Sequence, residues 1–123
     1  MSHSHDYEKL DVWKRASNLA VDIYKTTKGF NDFSFRDQIR RAAISIPSNI
    51  AEGAGRDSAK EFSRFLKIAK GSAFELRTQL LIQKKIALTL NEPTLDLSDH
   101  VINESKEIAS MLAGLIKSVE SRI

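Results

Sequence analysis

The chain has no cysteine, which removes disulfides, thiol nucleophiles and cysteine-ligated metals and is compatible with a reducing compartment. Two prolines and five glycines in 123 residues leave too few turn formers for an all-β fold with its many reversals. Long apolar runs are missing too: no stretch approaches the roughly 20 residues a membrane helix requires. The first 25 residues carry Asp6, Glu8, Lys9, Asp11, Lys14 and Arg15, so they lack the uninterrupted apolar core of a secretion signal. These absences predict a cytoplasmic protein with no membrane partner.

Recognisable chemistry is equally sparse. Di-iron bundles gather their metals with Glu-x-x-His pairs, two ligands one turn apart on a helix, and no such pair occurs. His100 stands alone beside Asp99, while His3 and His5 fall in residues 1–7, a segment expected to fray. The "GAGR" of Gly53–Arg56 has neither the preceding strand nor the spacing of a phosphate loop. No serine has a histidine and an acid in a familiar local motif. No catalytic residue, cofactor or metal ligand is expected, and the protein is expected not to be an enzyme.

What is there is helix. Apolar residues make up 41% and charged residues 28%, ordinary for a single globular domain, here residues 1–123. Apolar positions recur at helical spacing, whereas strand-length alternation is missing. A first helix, about Leu10 to Lys28, gathers Leu10, Trp13, Ala16, Ala20, Ile23 and Tyr24 on one face, with Gly29 as its stop. Ser34 and Asp37 read as a capping box for a second helix with Phe35, Ile39, Ala42, Ala43, Ile46 and Ile50 inward and Gly53 at its end. Ser58 and Glu61 cap a third, which runs to about Leu90 before "NEPT". Its predicted seam is Phe62, Phe65, Leu66, Ala69, Ala73, Leu76, Leu80, Ala87 and Leu90. The fourth begins near Leu97 and is predicted to bury Leu97, Val101, Ile108, Leu112, Leu115 and Val119. Short connections favour antiparallel neighbours, so the predicted architecture is an all-α, up-down-up-down four-helix bundle.

Within the second helix, "SIPSNIAEG" places Pro47 where it removes an amide donor and crowds the carbonyl of Ala43, which predicts a kink there. Gln38, Ser45, Asn49 and Glu52 fall within about 60° of one another along the edge of the core face. As an active-site row they would need a companion for Glu52 as general base, and none is apparent. The favoured reading is a structural polar stripe whose side chains satisfy neighbouring backbone and side-chain groups.

Charge is distributed unevenly. Residues 36–85 hold eleven basic against five acidic groups, and residues 86–123 hold three against six. Either the middle meets an acidic partner or it pairs with the tail. Lys60, Arg64, Lys67 and Lys85 lie within about 60° on the third helix, opposite its seam, and Arg36, Arg40, Arg56 and Lys70 widen the basic surface. RNA or DNA backbone is one fitting partner for this ridge. The alternative is a protein-interaction or scaffold module that binds no nucleic acid and recruits a protein through Glu104, Glu107 and Glu120. On the same third helix, Phe74, Leu81 and Leu88 form a second apolar stripe, either covered by neighbouring helices or serving as an interface between copies.

The run "DQIRRAAISIPSNIAEGAGRDSAKEFSRFLKIAKGSAFEL" (residues 37–76), with "DVWKRA" near the start, resembles the four-helix-bundle proteins encoded by intervening sequences of bacterial large-subunit ribosomal RNA. The resemblance spans roughly residues 8 to 120. It implies a ring-like homo-oligomer, a pentamer, without established enzymatic activity. A related branch contains the accessory proteins of diversity-generating retroelements, which bind nucleic acid and a reverse transcriptase. In the first loop this chain has Asn31 after Phe30, where that family usually has proline.

Overall fold

The computed structural model describes residues 7–123. His3, His5 and the expected fraying of residues 1–6 lie outside the described residues. Tyr7, also expected to fray, opens a single 3-10 turn (Tyr7–Lys9) and packs edge-on against Trp13, ring centroids 5.2 Å apart. Among the described residues there are four α-helices and no strand: α1 (Asp11–Thr26), α2 (Phe33–Ala54), α3 (Ala59–Thr89) and α4 (Ser98–Glu120). α1 packs on α2 and α4, and α3 packs on the same two. That square of sequential neighbours is the antiparallel four-helix bundle the periodicity predicts.

The core runs the length of the bundle. Leu19 and Ile23 meet Ile39, Ile46, Ile50, Leu66, Leu76, Leu80, Ile108 and Leu112, all fully buried. Removing any of these large side chains forfeits both transfer energy and packing. Three residues assigned to the core are instead exposed: Tyr24, Leu90 and Leu97. Tyr24 sits beyond the buried face of α1 and carries the Arg40 guanidinium over its ring at 4.3 Å. Leu90 is the C-cap of α3, where the chain is already leaving the bundle. Leu97 adopts a left-handed backbone (φ 58°) at the start of α4, and the neighbouring Leu95 packs against the core in its place.

Helix ends follow local side-chain chemistry. α2 is capped by Asp32, whose carboxylate accepts from the Phe35 amide at 3.1 Å, and not by the Ser34–Asp37 pair. An aspartate there satisfies an orphan amide and also carries negative charge at the positive end of the helix. Ser58 does cap α3, accepting from the Glu61 amide at 3.1 Å. α3 ends in a paired-bond reversal, Glu92 N to Ala87 O at 2.8 Å and Asn91 N to Leu88 O at 3.4 Å. Asn91 supplies the left-handed residue (φ 56°) that this motif demands.

α2 passes through Pro47 without ending. Its Gly53, expected as a helix stop, lies inside the last turn and is buried. A Cβ there would stand 2.7 Å from Phe65 Cβ and 3.2 Å from the Phe62 carbonyl oxygen. The glycine is thus required by the approach of α2 to α3, not by a turn.

The basic middle and acidic tail of the sequence pair within the bundle. Lys67 Nζ meets Glu120 at 2.7 Å, and Lys84 Nζ meets Asp99 at 2.7 Å. Glu120 also accepts from the buried Ser63 hydroxyl at 2.8 Å. Arg15 reaches across from α1 to hold both oxygens of Glu104, at 2.8 and 2.6 Å. The Arg15 hydrogen bonds depress the Glu104 carboxyl below its ordinary range, and partial burial only partly opposes them. A carboxylate depressed in the folded state contributes stability above its unfolded pKa of about 4.3 and loses it as pH falls through the folded value. Glu104→Gln is therefore expected to lower the melting temperature at pH 7. Its deficit against the wild type should shrink steadily below about pH 4, as followed by circular dichroism melts across pH 2.5–7.

Candidate nucleic-acid and assembly surface

The outward face of α3 begins with charge and continues with apolar surface. Lys60, Arg64 and Lys67 occupy its first turns, all exposed. Phe74, Leu81 and Leu88 follow at 55%, 41% and 62% exposure, so no neighbouring helix covers them. Ile68, Ile82 and Ile86 are exposed on the same helix as well. These three isoleucines were missed in the sequence, although turning 100° per residue places all of them within a right angle of Lys60. Expecting heptad spacing hid them, because Ile82 and Ile86 fall on the α2 side of the stripe.

The eight basic residues do not converge. Lys85 lies 18 residues beyond Lys67, about 27 Å along the helix. Arg36 pairs with Asp37 at 3.1 Å and lies over the Phe33 ring. Arg40 donates to Thr27 Oγ1 at 2.9 Å and to the Tyr24 carbonyl at 3.3 Å, which satisfies the orphan carbonyl end of α1. That makes it a helix-capping group. Arg56 pairs with Glu52 at 3.7 Å. Arg64 grips both oxygens of Glu61, at 3.0 and 3.2 Å. The same two arginines flank the Phe65 ring, at 5.1 and 4.5 Å from its centroid. Lys67 is held by Glu120. Among the described residues, Lys60, Lys70 and Lys85 have no ion-pair partner.

Of the polar stripe, Ser45 and Asn49 act together. The Ser45 hydroxyl lies 2.8 Å from that of Ser72 on α3. Asn49 Nδ2 donates to the Ser45 carbonyl at 2.8 Å and to its hydroxyl at 2.9 Å. The result is a half-buried polar bridge between α2 and α3, its two α2 residues standing two positions either side of Pro47. Gln38 lines a recess of about 170 Å³ with Arg41, Ser45 and Glu75. Glu52 faces solvent and meets only Arg56 among the described residues. His100 lies 3.4 Å from Asp22. No group of acid and histidine side chains able to hold a metal occurs among the described residues.

Four antiparallel helices whose longest member turns basic and apolar side chains outward define a small helical-bundle protein. A family model described as 23S rRNA-intervening sequence protein matches residues 8–114, and the chain belongs to that family. No curated protein matches the chain. The family is described by the location of its coding sequence and not by a reaction. Among the described residues, no helix is long and apolar enough to cross a membrane.

Proposed function

We propose that this protein is a non-enzymatic, cytoplasmic homo-oligomer that binds the backbone of RNA or DNA through its basic helical surface. The observation that carries the reading is the outer face of α3, where exposed lysine and arginine give way to six exposed large apolar side chains. Six exposed large apolar side chains on one helix, interleaved with Glu75, Thr78 and Lys85, favour docking, and self-association buries them economically. Its closure into a pentamer is what the family resemblance implies. Packing copies through the apolar part sets the basic parts side by side, so that weak interactions with phosphate are repeated around one assembly.

The unpaired lysines separate this reading from its rival. Lys60→Glu with Lys70→Glu is expected to weaken binding of labelled single- and double-stranded RNA and DNA. It should also flatten the dependence of log K on log salt by about 0.9 for each duplex-DNA phosphate that the variant no longer neutralises. The check is a fluorescence-anisotropy titration at 50 and 200 mM salt. The second reading, a scaffold that recruits a reverse transcriptase or another protein, is favoured by the ion pairs that already occupy Arg36, Arg56, Arg64 and Lys67. Wild-type protein that binds no nucleic acid at low salt would decide for it.

A further inference from the structure

At the end of the bundle where α1 and α3 finish and α2 and α4 begin, the two connecting loops part around a cavity of about 870 Å³. Its volume is in the range of small-molecule sites. Phe30 and Phe35, ring centroids 6.1 Å apart, line it together with Ile86 and Ala87. Gln83 also lines it. That side chain is only 5% exposed, and its Oε1 has no hydrogen-bond partner among the described residues. A buried acceptor left unpaired costs stability, and native proteins keep few of them. Nothing in the packing of α3 requires a glutamine at this position, since Leu76, Leu80 and Ala87 fill the neighbouring turns of the seam with hydrocarbon.

We infer that this cavity binds a ribonucleoside moiety, with the base placed inward against the Gln83 amide. The Gln83 Nε2 offers a donor to an acceptor on a nucleobase edge, while its Oε1, with almost no accessible surface, has to turn toward the cavity before it can accept. The phenylalanine rings supply the apolar π surface that a base prefers to water. At the rim, Glu92 and Asp96 provide carboxylates with no ion-pair partner among the described residues, suited to accept from ribose hydroxyls. Lys25 and Lys28 also border the opening and provide positive charge for a phosphate. The base therefore comes either from a free nucleoside or nucleotide or from an unpaired residue of an RNA strand. None of the basic residues of α3 lines the site, and Ile86 alone is shared with the apolar part of that face.

The test uses the full chain with adenosine, guanosine, cytidine, uridine, AMP and single-stranded oligoadenylate as probes. At millimolar concentration at least one nucleoside is expected to raise the melting temperature and to shift the amide resonances of the Gln83 side chain, Phe30 and Phe35. Gln83→Leu removes an unpaired polar atom, so the unliganded variant should melt no lower than the wild type while losing about tenfold in nucleoside affinity. If oligoadenylate binds at the same resonances more tightly than adenosine or AMP, the source is a strand; the reverse order assigns a free metabolite. The inference is overturned if no probe moves those resonances in the wild type, or if Gln83→Leu binds the nucleosides as well as the wild type does. Should the variant fail to fold, the wild-type resonance map alone decides.

Discussion

Gly53→Val is expected to be the most damaging small substitution in the chain. Two effects oppose each other when a side chain is added at this helical glycine. Alanine in place of glycine gains up to about 1 kcal/mol of helix propensity. Against this, its Cβ would lie 2.7 Å from Phe65 Cβ and 3.1 Å from the Phe62 ring, and neither is the free end of a flexible side chain. Separating α2 from α3 to admit it costs about 1–3 kcal/mol for the first added carbon, and valine adds two more. Gly53→Ala is thus expected to be destabilising by up to about 2 kcal/mol and Gly53→Val by more. Gly114, on α4, has nothing within 4 Å of its hypothetical Cβ. There the propensity gain acts alone, and Gly114→Ala should stabilise by up to about 1 kcal/mol. Urea denaturation of the three variants checks the pair of opposite signs. A neutral Gly53→Val would show that the two helices do not approach as closely as described.

Leu81→Arg is expected to dissolve the proposed assembly. Leu81 lies between Phe74 and Leu88 on the outer face of α3 and is already 41% exposed in the single chain. Arginine there has open solvent in a monomer, so the fold should be retained with an unchanged helical circular dichroism spectrum. In an assembly the guanidinium would be desolvated among apolar side chains, and an unpaired buried charge costs several kcal/mol. Sedimentation equilibrium at micromolar concentration should then give the 13.8 kDa of one chain, against a multiple of it for the wild type. If the proposed repetition of basic surface governs nucleic-acid binding, affinity should fall with assembly although no basic residue has been touched. A wild type that sediments as a monomer would remove this part of the proposal.

The stretch "SIPSNIAEG" shows how far local reading carries. Its apolar residues Ile46 and Ile50 give the inward face of α2 by spacing alone, and both are fully buried. That Ser45 and Asn49 stand at the edge of that face was legible from spacing as well. Their partner was not, because Ser72 lies 27 residues away on another helix. Gly53 was misread for the same reason. A glycine near the end of a helical pattern is most simply a stop, and only the position of Phe62 and Phe65 on α3 shows that it is a contact. The cap of α2 was misassigned for a different reason: "DFSFRD" offers two aspartates and a serine within six residues, and local preference ranks them too closely.

The candidate surface divides in the same way. The outward direction of Lys60, Arg64 and Lys67 was readable from the helical wheel, since the opposite side of α3 carries Phe62, Leu66 and Ala69. Which of the basic residues are already engaged was not. Arg40 caps the end of α1 and Lys67 holds Glu120, pairings between groups 16 and 53 residues apart in the chain. The Gln83 cavity was invisible for a related reason, because its walls come from two loops and three helices.

Sequence alone determined that the chain is helical, where its helices lie to within a few residues, and which side of each turns inward. Those properties depend on interactions within about four residues, so spacing and capping chemistry express them directly. Tertiary structure decided which polar groups are spent on one another, why a glycine must stand at position 53, and where a cavity opens between the loops. Each of these depends on distances between segments far apart in the chain, which are set only when α1 to α4 pack.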